Sequence, residues 1–141
     1  LGLRTLGELE QIPLVSSAVI VKHAFTQSQP EIARNFIKAM IEAQAFVMSP
    51  MKTSAVLQVL TKRLNITDPT VADDTLQDVL RRMNKKPYPS AEGVRNVQRF
   101  MQARNPKVGQ VKVQDLIDDS IVRELDKSGF IDRVYAEYAV K

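Results

Sequence analysis

Three helix-start signals, Ser49-Pro50, Asp68-Pro69 and Ser90, punctuate a stretch in which apolar residues recur every three or four positions. That combination constrains the fold more than any other feature of the chain. A small polar residue ahead of the first turn accepts hydrogen bonds from free backbone N–H groups, and a proline inside that turn forfeits only an N–H the helix does not use. The period gathers the apolar side chains on one face of each helix. Upstream of these signals, Ser28 and Glu31 are spaced as a capping box. Ile32, Phe36, Ile37, Met40, Ile41, Val47 and Met48 then fall mostly on one face, with Arg34, Asn35, Lys38 and Glu42 largely off it, so the spacing predicts a helix over about residues 29–48. Val56, Leu57, Leu60 and Leu64 make the stripe of a second helix. Ala72, Leu76, Val79, Leu80 and Met83 make a third, and Val94, Val97, Phe100 and Met101 a fourth. Residues 85–90, KKPYPS, read as a turn or extended linker because each proline restricts the residue before it. Residues 105–112 read as a polar loop.

Residues 14–22, LVSSAVIVK, depart from that pattern. Val19, Ile20 and Val21 are consecutive β-branched residues after Pro13, which predicts a strand. A continuous apolar run suits a strand covered on both faces, as inside an α/β sheet. The rest of the chain offers little for it to pair with. The expected fold is therefore mainly α, one N-terminal strand followed by five or six helices.

Near the other end, residues 117–132 read IDDSIVRELDKSGFID. Asp118 and Asp119 precede the stripe Ile121, Val122 and Leu125, where acids suit a helix N-terminus. Gly129 can take the left-handed conformation after the last turn, letting Phe130 and Ile131 fold back onto the apolar face. A catalytic or metal-binding role for the two acids is the weaker reading. Neighbouring helical side chains point about 100° apart, and calcium would require further acids at alternating loop positions with a glycine among them.

Composition narrows the chemistry. With 141 residues the chain is long enough for one real core. The absence of cysteine excludes disulfides, zinc–thiolate sites and a thiol nucleophile. The net charge of +4 is mild and spread out, with only Arg81-Arg82 and Lys85-Lys86 close together, which argues against nucleic acid as a partner. His23 is the single histidine, expected at the end of the strand as a structural or surface residue. Ser16 lacks the Gly-x-Ser-x-Gly elbow of a hydrolase nucleophile. The five glycines are scattered, so no phosphate-cradling loop is predicted. Tyr88, Tyr135 and Tyr138 could stack on a ligand, but the last two fit the apolar side of a short terminal helix with hydroxyls reaching solvent. No catalytic residue, metal ligand or cofactor is assigned. No apolar run is long enough to span a bilayer. Leu1-Gly2-Leu3-Arg4 has neither an initiator Met nor the order of a signal peptide, and the expectation is an excerpt or a processed product of a longer protein.

Several segments, in order, carry a resemblance: Pro13 to Val21, the Gln29-Pro30-Glu31 helix start, Phe36-Ile37-Lys38-Ala39, Glu42-Ala43, Ile117 to Leu125 and Ser128 to Asp132. Together they resemble the C-terminal part of the periplasmic substrate-binding proteins of ABC importers of the nitrate, sulfonate and taurine type, with relatives that bind or make the thiamine pyrimidine precursor. The resemblance implies a type II periplasmic-binding fold, in which two α/β lobes close over a small molecule. Residues 1–27 would be the end of the second lobe and the returning hinge strand, and residues 28–141 the helical part packed on the first lobe. It implies a small polar or anionic solute as ligand, an ABC permease as partner, no enzymatic activity, and a periplasmic or cell-envelope location with a lipid anchor as an option. Ser16 and Ser17 fall on the hinge side of the cleft, where hydroxyls could bond the ligand. Equally, they could satisfy backbone groups where the strand begins. The front part of the family, which carries most ligand contacts, has no counterpart here. An exposed strand would let the isolated piece dimerise. The alternative is a stand-alone helical domain that holds a partner peptide in a helix groove. A pyrimidine-synthesising role would need catalytic residues that the sequence does not offer.

Overall fold

A computed structural model of the chain describes residues 12–15 and 17–140. It is mainly helical. Among the described residues there are seven α-helices: α1 (His23–Ser28), α2 (Pro30–Met48), α3 (Thr53–Leu64), α4 (Pro69–Arg82), α5 (Ala91–Gln102), α6 (Ser120–Lys127) and α7 (Phe130–Glu137). Short 3-10 turns occupy Pro50–Lys52, Pro106–Gln110 and Val113–Leu116. The chain divides into two compact units, one from Leu1–Lys22 and Tyr88–Asp119, the other from His23–Pro87 and Ser120–Lys141.

Two of the expected starts form as the sequence dictates. Asp68 accepts a hydrogen bond from the Thr70 N–H at 2.9 Å, with Pro69 in the first position of α4. Ser90 Oγ accepts one from the Gly93 N–H at 3.0 Å and opens α5. The Ser28–Glu31 capping box does not form. Ser28 ends α1, where its hydroxyl donates to the Phe25 carbonyl, and Gln29 precedes α2 without a side-chain cap. The reason is α1 itself: one helix reaches Ser28, so only Gln29 separates it from Pro30. His23, expected at a strand end, instead opens this helix. Ser49 is also not a side-chain cap. It is almost completely buried, and its hydroxyl donates to the Tyr138 carbonyl at 2.7 Å.

The larger unit is organised around α2. Ile41 and Ala45 are fully buried against Val122 and Leu125 of α6 and Ile131, Val134 and Tyr135 of α7. Covering such side chains stabilises by ~1.5–3 kcal/mol each for the larger ones. Arg34 of α2 grips Glu124 of α6 with two bonds, at 2.6 and 3.0 Å. Lys86 pairs with Asp126 at 2.6 Å, tying the linker before Pro87 to α6. The turn between α6 and α7 depends on Gly129, whose φ of 71° is left-handed, a region that costs a residue with a Cβ about 1–2 kcal/mol. Ile131 then folds back into the core, as the sequence predicts. α7 ends in a comparable device. Ala139 takes a φ of 52°, and the Val140 N–H reaches back to the Tyr135 carbonyl at 3.0 Å.

In the smaller unit α5 supports two irregular segments. Gly93 is buried, and a Cβ there would meet Val15 Cγ2 at 3.0 Å and the Val15 backbone nitrogen at 3.2 Å. A side chain there would push the Val15 segment back by a few tenths of an ångström. Asn96 Nδ2 holds the Pro13 carbonyl at 3.0 Å. Gln98 Nε2 donates to the carbonyls of Val108 and Val111 at 2.8 and 2.6 Å, closing the loop after α5.

The expected N-terminal strand does not form. Residues 12–15 and 17–22 are neither helical nor part of a ladder, and no strand occurs among the described residues. A strand needs a second one to take its N–H and C=O groups, and the helical remainder supplies none.

Candidate functional site

The larger unit carries an apolar groove of about 530 Å³, a volume usual for small-molecule sites. Three helices make it. α2 contributes Ala39, Ala43 and Val47, whose spacing of four keeps them on one face, and whose small size leaves the space open. α3 contributes Val56, Val59 and Leu60. α4 contributes Leu76, Val79 and Met83. Glu42 is the one charged residue in the lining. Phe46, one turn further along α2, packs edge-on against the Tyr138 ring, with centroids 6.2 Å apart and planes at 74°. Both rings line the groove.

The positions singled out from the sequence do not converge on one site. Ser16 lies outside the described residues. Ser17 is exposed in the non-helical segment before α1. His23 is exposed, and its Nε2 lies 3.1 Å from the amide nitrogen of Gln27, one helical turn away, which donates to it. Asp118 and Asp119 immediately precede Ser120, the first residue of α6. No group of three or more His, Cys, Asp or Glu side chains among the described residues is arranged to hold a metal. No helix among them is long and apolar enough to cross a membrane.

Two side chains depart from the sequence reading. Tyr135, expected to send its hydroxyl to solvent, is 5% exposed, and that hydroxyl is buried without a hydrogen-bond partner. Burial pushes its pKa above the usual tyrosine range. Ser49 reads as a cap in sequence because it precedes Pro50, but its hydroxyl reaches a carbonyl 89 positions away. Glu42 is exposed, as its place off the main apolar face predicts, and what the sequence does not show is that it also borders the groove. The signal that could have found the groove is the Ala39, Ala43, Val47 series, a second and shallower stripe on the same helix.

The Asp78 carboxyl on α4 is held below the usual carboxylate range by hydrogen bonds from Arg82, at 3.1 Å, and Arg81, at 3.3 Å. This is a surface cluster within one helix, where one acid serves two bases at spacings of three and four.

No family model matches the chain, and no curated protein or solved structure matches it significantly.

Proposed function

We propose that this chain is the C-terminal part of a periplasmic substrate-binding protein of an ABC importer, of the nitrate, sulfonate and taurine type. The observation that carries the reading is the state of residues 17–22. Val19 is 51%, Ile20 89% and Val21 49% exposed, and the segment pairs with no strand among the described residues. An apolar run with solvent on both sides is costly to maintain and normally belongs inside a sheet. The exposed residues Ile32, Phe36 and Met40 on α2 add to this support. They stand one turn apart, on a helix that already buries Ile41 and Ala45 on another side. A helix that is apolar over most of its circumference suits the interior of a larger assembly.

In this reading the missing lobes supply the sheet, residues 17–22 form the returning hinge strand, and the helices buttress the first lobe. The intact protein captures a small polar or anionic solute by hinge closure, and an ABC permease reads the closed form. Ser16 and Ser17 stand on the hinge side of the cleft. The setting is the periplasm or cell envelope, and the protein performs no chemical step. Outside its parent, the exposed segment offers an edge on which two copies can pair. The alternative, a self-contained helical interaction domain, requires residues 14–22 inside a closed core, and Leu14, at 54% exposure, is as open as Val19 and Val21.

The test compares the 141-residue chain with the protein extended through its upstream coding sequence. Calorimetry should detect no micromolar binding of taurine, nitrate or the thiamine pyrimidine precursor to the chain alone. The extended protein should bind one such solute, and backbone hydrogen exchange over residues 18–22 should slow sharply in it. Micromolar binding by the chain alone, or equally fast exchange in both proteins, overturns the reading.

A further inference from the structure

The groove of the larger unit has a polarity that its helices do not consume. Glu42 lines it, and no ion pair of Glu42 occurs among the described residues. The natural helical partner of Glu42 would be Lys38, one turn earlier. That lysine is engaged elsewhere, with its Nζ 5.6 Å from the centroid of the Phe130 ring. One turn after Glu42 comes Phe46, stacked edge-on with Tyr138. The aromatic wall is held in place, because the Tyr138 carbonyl accepts the 2.7 Å bond from buried Ser49. The rest of the lining is aliphatic or thioether and comes from α2, α3 and α4, including Val56, Leu60 and Leu76.

A carboxylate beside two aromatic rings attracts a cation, through its charge and through the negative ring faces. A groove lined by hydrocarbon side chains attracts an apolar body. We propose that the groove binds a small apolar ammonium ion, an alkylated or quaternary amine whose charged head rests by Glu42, Phe46 and Tyr138 while its hydrocarbon part lies between α2, α3 and α4. The charge excludes an anionic amphiphile, since nothing in the lining is basic. The volume of about 530 Å³ suits a molecule with a short chain or one ring system and is too small for a partner helix with all its side chains. The proposal rests on the groove of this chain alone and not on the solute-binding cleft of the proposed importer.

The test uses the 141-residue chain and three probes of equal chain length below their micellar concentrations: octyltrimethylammonium, n-octanol and octyl sulfate. Binding is read as NMR shifts of the Ala39 and Ala43 methyl groups and titrated to a Kd. The ammonium probe should bind more tightly than the alcohol, and the sulfate most weakly. Glu42→Gln, at an exposed position and of equal size, should weaken the ammonium probe about threefold and leave the alcohol unchanged, a factor in keeping with a solvent-accessible charge pair. Phe46→Leu should weaken the ammonium probe more than the alcohol. Equal affinity for the sulfate, an unchanged ammonium Kd in Glu42→Gln, or no shift at Ala39 and Ala43 overturns the proposal.

Discussion

Ile131 and Ile20 are the same residue type with opposite surroundings. Ile131 is wholly buried where α2, α6 and α7 meet, whereas Ile20 is 89% exposed in the segment before α1. The intrinsic gain from covering either side chain is similar, ~1.5–3 kcal/mol. What differs is the number of walls each region can muster. The C-terminal helices bring three, because Gly129 turns α7 back toward α6 and the Arg34–Glu124 pair draws α6 toward α2. The segment at 17–22 brings none of its own. Stability in this chain is therefore expected to be concentrated at one end. Ile131→Ala breaks the covered side of the comparison and should cost about 3 kcal/mol, since a cavity adds to the lost transfer energy. Urea denaturation followed by circular dichroism measures it directly, and a loss under about 0.5 kcal/mol, the range of ordinary surface changes, would mean that this core does not hold the fold together.

The covered region also has an internal cost. Tyr135 packs beside Ile131, but its hydroxyl is buried with nothing to bond. Tyr135→Phe should stabilise by about 1 kcal/mol, the usual penalty of an unsatisfied buried polar group. The pH dependence has a definite sign. The folded pKa is raised by burial, so the folded state retains a proton that the unfolded chain releases above its ordinary value near 10. The contribution of this group is fully present below that value and is lost as pH rises toward the folded pKa. Denaturation midpoints measured from pH 8 to 11 should fall more steeply in the natural protein than in Tyr135→Phe. Parallel curves would show that the hydroxyl reaches water or a partner.

Much of this was legible from residue order, and the boundary of legibility is physical. Helix starts could be read where the cap is local: Asp68 and Ser90 bond groups two and three positions away. The turn at Gly129 was legible for the same reason, because a left-handed residue after a basic last turn is a local requirement. Ser49 was misread because its bond is to the far end of the chain, and sequence spacing carries no information about a contact of that range. The strand at 14–22 was misread in a different way. Its composition reports what the segment is fit for, not what it has, since a ladder belongs to two segments at once. The groove was legible only as the faint Ala39, Ala43, Val47 stripe, because small residues read as filler in a helix yet leave space beside α3 and α4. Ser17 is exposed in the segment before α1, and Glu42 is left without its helical partner because Lys38 lies over the Phe130 ring, a contact across 92 positions that spacing does not encode.

The smallest expected effect bears hardest on the comparison. Ile20→Ser should change the stability of the 141-residue chain by no more than about 0.5 kcal/mol, because almost no contact is lost when an 89% exposed side chain is shortened. Replacing it by serine also removes the apolar centre of a segment able to pair edge to edge, so any concentration-dependent association through 17–22 should weaken, as sedimentation velocity would record. In the upstream-extended protein the same substitution should cost about 2–4 kcal/mol, comparable to Ile131→Ala, because there both faces of the strand would be covered and a hydroxyl would be buried in place of hydrocarbon. Measuring Ile20→Ser in the two proteins thus isolates the contribution of the neighbours from that of the residue. A loss of 2 kcal/mol or more in the short chain would mean that Ile20 is already enclosed there. The contrast with Ile131 would then vanish, and with it the support that residues 17–22 lend to the importer reading.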